Sequence, residues 1–313
     1  MSCFGKRTWD PKGKHCYVTG GSTGLGLALS TLLVQQGADV SIVARNEKNL
    51  KAAIEKLETV RQSKDQKFAY YSYSLTSARE SQEALQAVIA GHNGETPDGV
   101  FLCAGGSKPK FFVEMSGEEL VQGMDMGYWV QAWTAWAASK EMARTRKKGK
   151  ICFVSSTLGY MSLIGYASYS PAKHALRGLA DTLRFELQLY NIDVQIFFPC
   201  TMYTPGYEEE NKTKPKITLK LEESDSGLTA EQAAHAMLAG IKDHHSHITG
   251  DWITTVFRAS TKGASPGRFF LKDWALNIFG CIALPIWRMT VDREINGHVA
   301  EHETYLEERG LRA

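Results

Sequence analysis

Through the first two-thirds of the chain, short apolar runs alternate with longer stretches whose apolar positions recur every three or four residues. Side chains repeat with period 2 in a strand and 3.6 in a helix, so the runs read as buried strands and the stretches as amphipathic helices. "HCYVTG", "ADVSIVAR", "FAYYSYSL", "DGVFLCAGG", "KGKICFVSS" and "IDVQIFFP" are the strands in order. "LGLALSTLLVQQG", "NEKNLKAAIEKLETVRQ" and "TSARESQEALQAVIAG" are helices between them, joined by a long helical region before "KGKICFVSS" and another before "IDVQIFFP". Such alternation predicts the α/β class: a doubly wound parallel sheet with helices on both faces.

The pattern changes after Pro199. "TPGYEEENKTKPKITLKLEESDSG" is polar and poor in buried periodicity, and reads as a long mobile loop, a lid over residues 206–228. "TAEQAAHAMLAGIKD" predicts a helix capped by Thr229, and "WITTVF" a last strand. "WALNIFGCIALPIW", Trp274 to Trp287, is mostly apolar and flanked by Lys272, Asp273 and Arg288. It falls short of the roughly 20 residues that span a bilayer, and reads as a buried helix, a re-entrant segment or an interfacial anchor. No internal repeat or low-complexity tract interrupts the chain. One domain over residues 1–313 is expected, with a core at 13–205 and an apolar helical extension at 265–313.

Composition narrows the class. A hydrophobic share of 43% and a charged share of 22% suit a globular protein. A net charge of +2 gives no case for a nucleic-acid binder, and "RTRKKGK" suits the cation-rich end of a helix. Cys3, Cys16, Cys103, Cys152, Cys200 and Cys281 are scattered, several in apolar runs, which points to a reducing compartment. The N-terminus has no apolar segment of the secretory kind.

"YVTGGSTGLGLAL" places Gly20, Gly24 and Gly26 between a strand and a helix. Glycine permits close backbone approach, and the helix N-terminus offers N–H donors and positive dipole to a phosphate. The spacing differs from G-x-G-x-x-G, and a glycine-rich turn can also be purely structural. The next strand ends in "VARNEKN". Arg45 stands where a carboxylate would bind the ribose 2′-hydroxyl of NAD, which favours NADPH unless Arg45 only covers the adenine face. Ser22 can donate to a phosphate.

"YASYSPAKHAL" sets Tyr169 and Lys173 one helical turn apart, with Tyr166 competing at two turns from the same lysine. A free phenol titrates near 10, and a nearby ammonium lowers that value toward the range useful for proton transfer. Ala167, Ser168, Ser170 and Ala172 leave room for cofactor and substrate. Ser155 and Ser156 end an apolar strand on the side where doubly wound sheets bind ligands, and a serine hydroxyl there can hold a carbonyl oxygen.

"TGGSTGLG", Ser156 and "YSPAK" together resemble the short-chain dehydrogenase/reductase family over roughly Gly13 to Pro205. The resemblance implies a Rossmann-type fold with strand order 3-2-1-4-5-6-7. It implies that Ser156 orients the carbonyl, Tyr169 donates the proton, and Lys173 tunes Tyr169 and binds the nicotinamide ribose. It further implies that Gly20, Ser22, Thr23, Gly24, Leu25, Gly26, Arg45, Ala104, Gly105, Tyr169, Lys173, Pro199 and Thr201 hold the dinucleotide, with "CAG" at Cys103 to Gly105 resembling the family's N-A-G strand end.

"FFPCTMYTPGYEEENKTKP" and "YSPAKHALRGLADTLRFEL" resemble the group of that family that reduces 3-ketodihydrosphingosine with NADPH at the cytosolic face of the endoplasmic reticulum. That likeness implies a long-chain keto-sphingoid base as substrate, peripheral membrane contact through the apolar extension, and a homo-oligomer. A steroid or retinoid oxidoreductase, or an NADPH-binding scaffold without turnover, are the alternatives. Two departures stand out: there is no asparagine between Asn93 and Asn191 to serve the family's proton relay, Gly127 falling near its expected place, and Ser74 stands where many relatives have an aspartate.

Other features carry less. His244, His245 and His247 lack a partner cluster for a metal and read as an exposed loop. "NKT" at Asn211 matches a glycosylation acceptor, which acts only in a lumenal chain. Trp129, Trp133 and Trp136 recur at helical spacing, which suits core or subunit-interface packing before a lipid-facing wall.

Overall fold

The computed structural model describes residues 8–223, 225–267 and 269–311, so Cys3 lies outside the described residues. The chain alternates β1 (His15–Thr19), α1 (Gly24–Gln35), β2 (Asp39–Ala44), α2 (Glu47–Thr59), β3 (Phe68–Ser72), α3 (Ala78–Gly91) and β4 (Gly99–Leu102). Next, α4 (Gly117–Met124) runs through a π-helical turn (Asp125–Trp129) into α5 (Val130–Thr145), followed by β5 (Gly149–Val154), α6 (Ser170–Glu186) and β6 (Ile192–Phe198). Beyond it come β7 (Met202–Tyr203), α7 (Pro205–Asn211), α8 (Lys216–Glu222), β8 (Leu228–Thr229), α9 (Ala230–Lys242) and β9 (His247–Thr249). The chain closes with α10 (Trp252–Thr261), α11 (Phe270–Gly297) and α12 (Val299–Glu308).

Seven parallel strands form one sheet in the order β3-β2-β1-β4-β5-β6-β9. The expected doubly wound order is met, with β9 as its seventh member. One face is covered by Leu85, Val88, Met142 and Leu176 over Val100 and Phe153, and the other by Leu29, Leu33, Leu50 and Met237 over Val18, Ile42 and Phe101. Helices bury both faces of the central strands β1, β4 and β5, which are therefore buried nearly throughout, while edge strand β3 is only part-buried. Cys16 and Cys152 are buried as small core residues, and Cys16, Cys103, Cys152, Cys200 and Cys281 are all free thiols.

Three expectations are corrected. "WITTVF" is the start of helix α10: the Asp251 side chain accepts from Thr254 N at 2.8 Å, and the cap outweighs the β-branched composition. The last strand comes instead from the stretch read as an exposed loop. His247 is buried in β9, with Nδ1 2.9 Å from the Tyr160 hydroxyl and Nε2 2.8 Å from Asp181, while His244 Nδ1 lies 2.7 Å from Asp193. The segment 206–228, read as a loop, is helical in α7 and α8. Thr204 caps α7, Ile217 and Thr218 are buried, and the buried Lys214 lies 2.6 Å from Glu222 and 3.3 Å from Glu210. Here charge pairing does the work of apolar packing, and the expected periodicity is therefore missing. Asn211 Oδ1 is buried, which disfavours a glycan there.

The apolar stretch at Trp274–Trp287 is the middle of α11, a helix of 28 residues. At 1.5 Å per residue it runs about 42 Å, long and apolar enough to cross a membrane by length and composition. Pro285 is tolerated inside it. One side of α11 is anchored on the domain: Asp273 forms a buried ion pair with Arg258, a Cβ on Gly280 would lie 1.9 Å from Ser260 Oγ, and Trp287 meets Phe257 at 5.6 Å between ring centres. The opposite side exposes Trp274, Ile278, Phe279, Ile282, Ile286 and Met289.

Candidate active site

β1, β2, β4, β5 and β6 end at one edge of the sheet, where the sequence-predicted residues gather. In the β1–α1 turn Gly20 has φ +64°, and a Cβ there would stand 2.9 Å from the backbone of Ala104. A Cβ on Gly26 would stand 2.3 Å from the carbonyl oxygen of Gly20. The turn is thus packed backbone against backbone and admits only glycine at these two positions. Thr23 caps α1 with no side-chain hydrogen bond, and the first turn holds no acidic residue. Its open N–H groups and helix dipole suit an anion. Thr23 is exposed and Gly24 half-buried, whereas Ser22 and Leu25 are buried.

Neighbouring strand ends complete the edge. The Ala104 N–H donates to Thr19 Oγ1 at 3.1 Å. A Cβ on Gly105 would lie 3.1 Å from the Met126 carbonyl. The Pro199 carbonyl accepts from Thr157 N at 2.9 Å, and that of Thr201 accepts from Leu228 N at 2.9 Å. Arg45 is exposed just past β2, and Asn46 beside it caps α2.

Ser156 follows β5 in extended conformation and its hydroxyl accepts from Leu158 N at 3.2 Å. Tyr169 occupies the N-cap position of α6 without a side-chain cap bond, close enough to Ser156 for that hydroxyl to favour the phenolate. Lys173 lies under it with Nζ 5.2 Å from the centre of the phenol ring. The structure therefore brings Ser156, Tyr169 and Lys173 together. Tyr166 is removed from the competition: its hydroxyl lies 2.6 Å from Glu210 and 2.8 Å from Glu222, so it anchors α7 and α8.

Electrostatics differ from expectation. Burial pushes the Tyr169 phenol well up, the Glu210 carboxylate pushes it further, and the Ser156 hydroxyl acts in the opposite direction. Lys173, whose Nζ donates to the Val154 carbonyl at 3.0 Å, does not lower it here, because burial leaves that lysine neutral where the raised phenol titrates. Burial pulls Lys173 itself down to about 7. The small residues near Tyr169 also serve packing: a Cβ on Gly123 would lie 2.5 Å from Ser168 Cβ, and one on Gly127 2.6 Å from Ala172 Cβ.

A cleft beside Tyr169 is lined by Gly106, Ser107, Lys110, Met115, Gln122 and Met126. Sequence reasoning missed Glu210, Thr204 (whose methyl would be 3.4 Å from a Cβ on Gly24) and Gln131. Gln131 alone left a trace, as a polar residue inside "YWVQAWTAWAA".

Residues 14–215 match the model of the short chain dehydrogenase family. The chain belongs to that family. This short-chain dehydrogenase is 45% identical over 307 residues to 3-ketodihydrosphingosine reductase TSC10 of Cryptococcus neoformans, covering 98% of this chain and 91% of the relative. It is 35% identical to 3-ketodihydrosphingosine reductase ksrA of Aspergillus fumigatus, over 86% of this chain and 81% of the relative. Among solved structures, a short-chain type dehydrogenase/reductase from Mycobacterium ulcerans shares the fold with TM-score 0.66 at 22% identity, covering 76% of this chain and 89% of that one. Levodione reductase does so with TM-score 0.67 at 19% identity, over 76% and 95%. The chain is thus an oxidoreductase of a family that works with NAD(P)H, and the glycine cradle with the uncapped α1 N-terminus fits a dinucleotide phosphate.

Proposed function

We propose that the protein reduces the 3-keto group of 3-ketodihydrosphingosine to the alcohol with NADPH. The carrying observation is the 45% identity with a 3-ketodihydrosphingosine reductase over 98% of the chain, which extends past the family match into α9–α12.

When bound, NADPH supplies the hydride. The Gly20–Gly26 turn and the N-terminus of α1 would hold its phosphates, with Arg45 toward the 2′-phosphate and Ala104, Gly105, Pro199 and Thr201 along the cleft. The protein's own part is to hold the ketone and deliver a proton. Ser156 donates to the ketone oxygen and keeps it beside Tyr169. Tyr169 is kept protonated by its burial and by Glu210, so it carries the proton the alkoxide needs. Lys173, buried and poised near neutrality, holds the ribose and restores the proton.

The exposed side of α11 would rest in a bilayer interface at the cytosolic face of the endoplasmic reticulum, since aromatic and aliphatic side chains there face outward while the opposite side is anchored. The substrate's long chain partitions into the same layer. A homo-oligomer would cover the exposed Trp136 and Phe185. Single-turnover oxidation of NADPH with the keto-sphingoid base, a steroid ketone and retinal tests the reading. Reaction with the sphingoid ketone alone is expected; turnover of a steroid or of retinal instead, or of none, contradicts it.

A further inference from the structure

Gln131 sits on α5 at 1% exposure, where a polar amide needs partners. It finds them at the end of β5. The β4–β5 ladder stops at the pair Leu102 and Phe153, and Ser155 N–H turns toward β6, 2.7 Å from the Phe197 carbonyl. Val154, between them, has its N–H and carbonyl facing the side where β4 has ended. The Gln131 amide takes the place of the missing strand: Oε1 accepts from Val154 N at 3.0 Å, and Nε2 donates to Val154 O at 2.8 Å.

The same carbonyl oxygen accepts from Lys173 Nζ at 3.0 Å. Two donors, one from α5 and one from α6, thus share one acceptor. Gly127, one turn before Gln131, has no side chain to contribute, and a Cβ there would lie 2.6 Å from that of Ala172. A Cβ on Gly105 would lie 3.9 Å from both Gln131 Nε2 and Lys173 Nζ.

We propose that Gln131 is a positioning residue for Lys173, fixing through the Val154 carbonyl where the catalytic ammonium stands. The proposal rests on the role assigned to Lys173 above. The amide holds the carbonyl in place and competes for it, so it sets both the lysine's position and how firmly its proton is held. The titratable groups facing Lys173 are Tyr169 on its own helix and, beyond that phenol, Glu210 of α7. β5 and α5 present the Val154 carbonyl and the neutral Gln131 amide, and the π-turn presents the Met126 carbonyl.

Two variants test this. Gln131→Met keeps the length and removes both hydrogen bonds. Gln131→Glu keeps an acceptor for Val154 N–H, removes the competing donor and adds an anion near the ammonium. Lys173 is titrated in the cofactor-free protein by NMR of 13Cε-labelled lysine, assigned with Lys173→Arg, and kcat and KM are followed against pH. Gln131→Glu is expected to raise the Lys173 titration by at least about one pH unit and to move the kcat/KM profile with it. Gln131→Met is expected to lower kcat at least about tenfold with substrate KM within about threefold. A Lys173 titration unmoved in Gln131→Glu, or wild-type kcat in Gln131→Met, overturns the proposal. Should Gln131→Met not fold, the Gln131→Glu titration decides alone. That titration needs no substrate, so a wild-type protein inert toward the ketone refutes the substrate reading and leaves this result standing.

Discussion

The ammonium of Lys173 donates to the carbonyl of Val154 at 3.0 Å and stands 5.2 Å from the centre of the Tyr169 ring. Burial holds this lysine at about 7, so the folded protein binds its proton less tightly than the unfolded chain does, where lysine titrates near 10.4. Between those values the unfolded state carries the extra proton, and the folded state gains stability as pH rises. Below about 7 both states are protonated and the full cost of burying the charge is felt.

Lys173→Met removes that cost. The variant is expected to be more stable than wild type at pH 7, and the difference to shrink by about 1.4 kcal/mol per pH unit as pH rises toward 10. Urea midpoints of both proteins at pH 7, 8 and 9 check it. A constant difference across that range would show that Lys173 titrates near its ordinary value.

Arg45 stands exposed just past β2, beside the glycine turn. Arg45→Ala is expected to weaken NADPH binding roughly 10- to 150-fold, the value of a charge-assisted hydrogen bond of about 1.5–3 kcal/mol, and to leave NADH nearly unchanged. Titration of cofactor fluorescence reads both. Equal losses would reduce Arg45 to covering the adenine.

The doubly wound core was legible because the central strands β1, β4 and β5 are buried nearly throughout and read as mostly apolar runs at a β–α spacing. The glycine turn, Ser156, Tyr169 and Lys173 were legible because their chemistry is local in sequence. What escaped depends on partners far along the chain. α7 and α8 hide behind polar composition, since Lys214, Glu210, Glu222 and Tyr166 bury one another's charge. β9 pairs through only three residues, too few for a pattern. Glu210 matters through its field on Tyr169, and Gln131 through one carbonyl on β5, and neither relationship exists before the chain folds.

The outward side of α11 gives a separate test. Serine at Ile278, Phe279, Ile282 and Ile286, all exposed, spares the contacts of Leu284 and Trp287 with the core. The quadruple variant is expected to leave liposomes and to lose turnover of membrane-borne long-chain ketone, while a short soluble ketone is reduced as before. Unchanged liposome binding with a smaller particle on a sizing column would make this side a subunit interface.

We take Tyr169 to be the donor of the proton in reduction of the ketone. Tyr169→Phe keeps the ring and removes the hydroxyl that neighbours Ser156. The direct measurement is the single-turnover rate of NADPH oxidation by the variant with 3-ketodihydrosphingosine, beside its NADPH dissociation constant. The rate is expected to fall at least about 100-fold while NADPH binding stays within about threefold, as loss of a general acid requires. A near-normal rate would contradict the account and move the proton donor away from Tyr169.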